Sequence, residues 1–495
     1  MNFHVLDWII LALYLAASVF IGLRARKYVE NMEGYLIAGR RVGVALGSAT
    51  LLATEIGIVT FMYMGELGYM TGFSCFVLGI IGLLGYVVIG KTGFLVSAMR
   101  RLRVITIPEF YELRYGRGVR LLGGSVLFIG GVLNMGIFLK FDGIFLTETI
   151  GLPPDLLVVV MVVMLIIVVS YTILGGMFSV IITDFMQFIV LTIGMLVATI
   201  AVLMHVSLAD IVSVVTERFG EAGVNPLVQE RFGPVFIVWI LVATVTSSAL
   251  WQPAASKALA SDSPETGRKL FLYTGLTLAG RSMIPMFWGV AALAVLGPDV
   301  VPSAAMPRLL GMVVPTGFLG LMIAGMLAAS MSTYSAYLLA WSSVATRDII
   351  APLRRTDLSE SKTILFTRII ALVIGIFLLV FGLLYEIPAT AFQYLALTGG
   401  MYSAGALGCV AGGIYWKKAN RVGAYSSLVL GALAPLAFLI LTFIRDSLPV
   451  WMSFLTDVNI SGFLSFVLAL GGMIFGSLLT QRSHPAVLLE YPAED

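Results

Sequence analysis

The chain has 495 residues, of which 59% are apolar and only 12% charged, with a mean hydropathy of +1.01. An ordinary soluble surface carries about 25% charged residues, so 30 basic and 27 acidic side chains cannot coat a water-exposed particle of this size. The composition reads as an all-α polytopic membrane protein in contact with a lipid bilayer, and it excludes a secreted disulfide scaffold, a cytosolic enzyme and a nucleic-acid binder.

Along the chain, apolar runs long enough to cross roughly 30 Å of hydrocarbon recur from end to end. They fall at 6–23, 43–65, 72–99, 121–147, 154–175, 184–206, 233–252, 270–296, 313–345, 365–385, 389–416, 422–444 and 457–479, which predicts about thirteen transmembrane helices. Asp7 follows only six residues, without the basic head and cleavage site of a signal peptide, so the first run is expected to be a retained span. Cys75 and Cys409 sit inside apolar runs as small buried hydrophobes, and His4, His205 and His484 form no cluster for a metal or a catalytic base.

Lysine and arginine concentrate in alternate links. Arg24, Arg26 and Lys27 follow span one, Arg100, Arg101 and Arg103 follow span three, Lys257, Arg268 and Lys269 follow span seven, and Lys417, Lys418 and Arg421 follow span eleven. The intervening links hold few, Arg218, Arg231, Arg308 and Arg445 among them. Because cytoplasmic links carry the excess of positive charge, the N-terminus is expected outside and the C-terminus inside a plasma membrane. No GxxxxGK[ST] loop is present, which disfavours ATP-driven pumping and leaves a facilitator, a channel, an ion-coupled carrier or an intramembrane enzyme.

Polar groups at membrane depth mark candidate sites. In span two, Glu55 precedes Ile56-Gly57. A helix broken there would free the carbonyls of Ala53 and Ile56 for a small cation. A packed helix with Glu55 in a structural salt bridge fits the same residues. Span nine contains Ala328-Ala329-Ser330-Met331-Ser332-Thr333, with Ser335 on the side of Ser332. Hard oxygens suit an alkali cation, although membrane serines also commonly bond their own helix. Glu66, Lys140, Trp251, Gln393 and Tyr394 are candidates for the solute path. Lys140 and Asp142 are two apart and need separate partners, and Arg281 with Pro285 raises the same question in span eight.

Four stretches together resemble the sodium:solute symporter family: Gly34-Tyr35-Leu36-Ile37-Ala38-Gly39-Arg40; Gly175-Gly176 with Thr183-Asp184 and Gln187; Ala328 to Thr333; and Arg347-Asp348-Ile349. The resemblance implies a leucine-transporter-like fold with five-plus-five inverted repeats at 43–206 and 233–416, a peripheral helix at 6–23 and two C-terminal helices at 422–479. It implies a main Na+ site from backbone oxygens of Ala53, Ile56 and Ala329 and the hydroxyls of Ser332 and Thr333, with Glu55 as an auxiliary group. A second sodium site would use Asp184, Ser332 and Ser335, but Ala336 stands where a further hydroxyl is needed.

The expected function is sodium-coupled import of a small organic solute by alternating access, an amino acid or choline-like amine being favoured by Glu55 and Glu66. Lys140 and Arg281 keep an organic anion open. Nothing in the pattern calls for an obligatory protein partner. The rival reading is a transport-inactive sensory or structural membrane protein on the same scaffold.

Overall fold

The computed structural model describes residues 3–25, 40, 42–354, 359–386 and 390–489. The stretch 34–39 lies outside them, and the side chains of 173–179 are likewise not described. Among the described residues the one extended pairing is an isolated bridge between Val42 and Ser261, and everything else regular is helix. Among the described residues, ten helices are long and apolar enough to cross a bilayer, with shorter apolar helices at Val5–Ser18, Val44–Glu55 and Pro154–Ser170.

Several spans depart from simple rods. Span two is two helices, Val44–Glu55 and Ile58–Thr71, separated at Ile56 (φ −124°, ψ 94°) and Gly57 (φ −100°, ψ 176°). Span three is shorter than expected: a 3₁₀ turn at Gly72–Phe76 leads into Val77–Thr92, which stops at Gly93 in the left-handed region. Span four is Arg117–Met135 and Phe138–Ile150, joined by a turn at Gly136 and Ile137. Span seven, Gly233–Leu250, is interrupted at Trp251 (φ −78°, ψ 116°) and resumes as Gln252–Leu259.

Spans five and six lie within one helical run, Leu157–His205, whose apolar crossing segments are Pro154–Ser170 and Val180–His205. Its two parts still run in opposite senses. Met161 lies against Gly382 and Leu165 against Gly375 of Glu360–Leu384, while Leu191 packs at Gly325 and Asp184 bonds Ser332 of Phe318–Val344. Forty-nine residues would rise about 73 Å as a straight helix, more than twice the hydrocarbon thickness.

Two links between spans contain helices. Leu208–Phe219 starts where the Ser207 hydroxyl accepts from the Asp210 N–H at 3.1 Å, an N-cap that sets its first turn. Pro302–Val313 follows span eight, and its Arg308 pairs with Glu148 at 2.7 Å. The first helix is tied to the bundle by Asp7, which is fully buried and accepts from the backbone N–H of Gly317 (2.7 Å) and Gly320 (2.6 Å) at the start of span nine.

Burial separates the elements by role. Span nine is buried along nearly its whole length. Span ten, Glu360–Leu384, exposes Leu365, Ile369, Leu372, Val373, Ile376 and Val380, the apolar belt that lipid requires. The second part of span two and span eight approach so closely that Gly65 and Gly289 leave no room for a Cβ between them. The result is a buried axis, spans two and nine, inside a jacket of lipid-facing helices.

Candidate ion and solute site

The site begins with backbone groups that the helix interruption leaves unpaired. When Val44–Glu55 ends at Ile56, carbonyls of its last turn lose their intrahelical partners. Span nine lies alongside. The Thr333 hydroxyl oxygen is 3.4 Å from the Thr54 carbonyl and donates to the Ala329 carbonyl at 3.0 Å. The Ser330 hydroxyl accepts from the Ile58 N–H at 3.3 Å and so caps the resumed helix. Gly57 permits this approach, because a Cβ there would stand 2.8 Å from the Thr333 hydroxyl oxygen. Ser332 and Thr333 are both buried, so neither hydroxyl faces lipid.

On the neighbouring side Asp184, itself fully buried, accepts from three groups. Ser332 donates to Oδ1 at 2.5 Å, Thr50 donates to Oδ2, and Lys257 Nζ lies 3.2 Å from Oδ2. Ser335 turns back to the Ser332 carbonyl at 2.9 Å and leaves Asp184 to the others. Lys257, expected as a charge in a link, is fully buried in the short helix after Trp251. Counting charges by link cannot detect this, because the interruption of span seven folds the next eight residues back into the core.

Beside the interruption of span two opens a cavity of about 280 Å³, at the lower edge of the usual range for small-molecule sites. Glu55, Ile56, Thr333 and Trp251 line it, together with the aromatic rings of Tyr63 and Tyr337. Glu55 is the single carboxylate, and no lysine or arginine is found among the described lining residues. The Trp251 indole N–H donates to the Tyr337 hydroxyl at 2.9 Å, which holds both rings in the wall.

The other solute-path candidates are placed elsewhere. Lys140 donates to the Tyr385 carbonyl at 2.9 Å, Tyr394 donates to the Leu133 carbonyl at 2.6 Å, and Gln393 completes a capping box with Thr390. Glu66 is half-buried in the helix beyond the interruption and does not line the cavity. Arg281 donates to the Phe188 carbonyl at 3.0 Å and to the Thr192 hydroxyl, with its guanidinium over the Phe188 ring. Asn134 does line the cavity, donating to the Leu395 carbonyl and the Thr398 hydroxyl, both at 2.9 Å. Sequence reasoning overlooked Ser330 and Thr50, since a buried hydroxyl declares its role only when the helix it caps or bonds is known.

The end of the core that carries the basic links is sealed. The Ile107 N–H donates to the Gln252 side chain at 2.9 Å, Thr106 and Arg120 both donate to Asp348 (2.9 and 2.8 Å), and the Tyr111 and Tyr402 hydroxyls meet at 2.7 Å. The cavity instead extends from the interruption toward the opposite end, along Tyr63, Met64, Leu78, Ile240 and Phe392.

A many-spanning helical chain with two interrupted helices, oxygen-rich contacts at one interruption and a small cavity beside it has the architecture of a membrane transporter. The family model for the sodium:solute symporter family matches residues 35–431, and the chain belongs to that family. It is 24% identical to the sodium/sialic acid symporter SiaT of Proteus mirabilis (strain HI4320), over 88% of this chain and 90% of that one. It is also 24% identical to the high-affinity proline transporter PutP of Bacillus subtilis (strain 168), over 95% and 97%. A solved substrate-bound, outward-open Na+-coupled sialic acid symporter superposes with a TM-score of 0.81 at 20% identity, covering 98% of this chain and 99% of that one. The fold is therefore leucine-transporter-like, and the chain is a multi-pass membrane protein of a sodium-coupled symporter family.

Proposed function

We propose that this protein imports a small organic solute bearing a cationic nitrogen, an amino acid or a choline-like amine, together with sodium. The observation that carries the reading is the meeting of the Thr333 hydroxyl with the freed carbonyl end of span two at the edge of the cavity. Sodium takes backbone oxygens of Ala53, Ile56 and Ala329 and the hydroxyls of Ser332 and Thr333. Ser332 donates its one hydrogen to Asp184, so its lone pairs remain free for a cation. Bound there, sodium joins span two to span nine and fixes the cavity wall that the solute needs. Each ligand must then tighten binding of the other by the same factor.

The nature of the cavity supports the solute class. One carboxylate among aromatic rings suits an ammonium group, through charge at Glu55 and through the ring faces of Trp251, Tyr63 and Tyr337. Lys140 and Arg281 bond backbone and hydroxyl groups away from the cavity, which weighs against an organic anion. With the basic links on the cytoplasmic side, the N-terminus is outside, the C-terminus is inside, and the cavity faces outward above a closed inner end. Release follows when the inner seal opens, and low cytoplasmic sodium and the membrane potential (~2.3 kcal/mol per charge per 100 mV) drive the cycle inward.

The test is uptake into proteoliposomes of labelled proline, choline, glucose and sialic acid, each with and without an inward sodium gradient. Accumulation of an amine-bearing solute only with the gradient is expected. Equal uptake in both conditions for every solute tested would end the coupling claim, and sodium-driven uptake of glucose alone would end the solute assignment.

A further inference from the structure

The end of the molecule that carries the basic links holds two adjoining cavities, of about 420 and 340 Å³, where span four and span twelve begin. They share Tyr115, Gly116, Arg421 and His484. Arg114 and Glu112 line the first, and Arg117 and Tyr425 the second. Glu112 is the one carboxylate among the described lining residues, and it is already paired with Arg120. Arg114 gives its hydrogens to the carbonyls of Gly413, Trp416 and Val487, which leaves its charge unanswered by a carboxylate. Arg117 bonds the Arg354 carbonyl at 3.2 Å, and Arg421 has no hydrogen-bond or ion-pair partner among the described residues. Three guanidinium charges thus converge on joined cavities whose single carboxylate is spent elsewhere.

The cavities open beside an apolar strip. Span twelve, Arg421–Leu441, turns Tyr425, Val429, Leu433, Leu436 and Ile440 outward on one helical face, and that face starts at Arg421. Tyr425 closes against span four, where a Cβ on Gly118 would strike its hydroxyl. Positive charge at one end and a lipid-facing apolar strip leading away from it match an amphiphile with an anionic head.

We propose that these cavities bind the headgroup of an anionic phospholipid, with its phosphate between Arg117 and Arg421 and an acyl chain along the outward face of span twelve. Arginine suits the phosphate because its planar fork offers paired donors and stays charged. The Tyr425 hydroxyl and the His484 ring line the same cavity and supply donors for the remaining phosphate oxygens. Basic pockets between membrane helices are built for such headgroups. The apolar strip favours a lipid over a free phosphate, which has nothing to place on it. The site shares no lining residue with the solute cavity, so it stands or falls separately from the proposed function.

The experiment is lipid binding to the delipidated full-length chain in detergent, read by native mass spectrometry. The probes are phosphatidylglycerol, phosphatidylcholine with the same chains, and glycerol 3-phosphate as the headgroup alone. Phosphatidylglycerol is expected to bind about tenfold or more tighter than phosphatidylcholine, and glycerol 3-phosphate is expected not to displace it. Arg117→Ala combined with Arg421→Ala removes two charge-assisted contacts and is expected to weaken phosphatidylglycerol about tenfold or more. Lys362→Ala combined with Arg482→Ala removes as many exposed cations outside the cavities, and affinity is expected to stay within about twofold of native. Equal binding of the two lipids overturns the inference, because no anion is then recognised. So does unchanged affinity in the Arg117/Arg421 variant, or an equal loss in the Lys362/Arg482 variant, which would mean general attraction to positive charge. Displacement by glycerol 3-phosphate at equal concentration would make this a soluble-phosphate site and overturn the lipid assignment. Should the Arg117/Arg421 variant fail to fold, Arg421→Ala alone is read in its place.

Discussion

Spans two and seven are both interrupted, yet their interruptions are filled in opposite ways. At Ile56–Gly57 nothing bulky enters: a glycine lets Thr333 approach, and oxygens of Thr54, Ala329 and Thr333 gather around the opening. At Trp251 the space is occupied by the indole itself, stacked edge-on against Trp341 and bonded to Tyr337. Gln252 then ties the resumed helix to Ile105, Ile107 and Ser256. An opening lined with oxygen acceptors suits a bare cation, whereas one plugged by rings and a neutral amide forms a solute wall and a seal. The same backbone device thus yields two chemistries, depending on the side chains placed at the gap.

The strongest way to break the contrast is to fill the first gap. Gly57→Val pushes a branched side chain into Thr333, and overpacking of about 3 kcal/mol corresponds to roughly 100-fold. Sodium-driven uptake is expected to fall by about that factor while the protein stays monodisperse on gel filtration. A variant with wild-type uptake would show that the gap is not used.

Removing an oxygen is the next largest effect. Ser332→Ala and Thr333→Val each delete a proposed sodium ligand, and a contact to a charged group is worth about 1.5–3 kcal/mol. The sodium concentration for half-maximal uptake is expected to rise about tenfold or more, with protein yield changed less than about twofold. Yield falling in step with affinity would mark the hydroxyls as structural.

Glu55→Gln separates the solute from the ion. The KM for an amine-bearing solute is expected to rise about tenfold from loss of one charge-assisted contact, while half-saturation by sodium moves less than about threefold. If sodium affinity falls more than solute affinity, Glu55 belongs to the ion. At the second gap, Trp251→Phe keeps a ring and removes the bond to Tyr337. About 1 kcal/mol, or roughly fivefold in KM, is expected with no change in the response to sodium.

Much of this was legible in the linear chain because the bilayer imposes simple requirements. Length and hydropathy locate apolar spans irrespective of tertiary contacts, and Glu55 beside Gly57 stands out because a carboxylate and a flexible residue are both unfavourable inside a lone apolar helix. Where the reading failed, the cause is local. Lys257 looked like a link charge, since hydropathy cannot register a chain that re-enters the core after Trp251. Glu66, Lys140, Gln393 and Tyr394 were chosen for polarity at depth, but polarity says only that a partner is needed and not which one.

The sequence by itself determined that this is an all-helical membrane protein and roughly where its spans lie, and it marked Glu55–Gly57 as a place where one could break, because those properties follow from summed hydropathy and from backbone preferences read over a few residues. Tertiary structure alone decided that Ser330 caps a helix 272 residues away, that Asp184 meets Lys257, and that Glu55 rather than Lys140 lines the cavity. Those pairings depend on the rotation of each helix about its axis, which close packing between helices sets and which no single helix encodes.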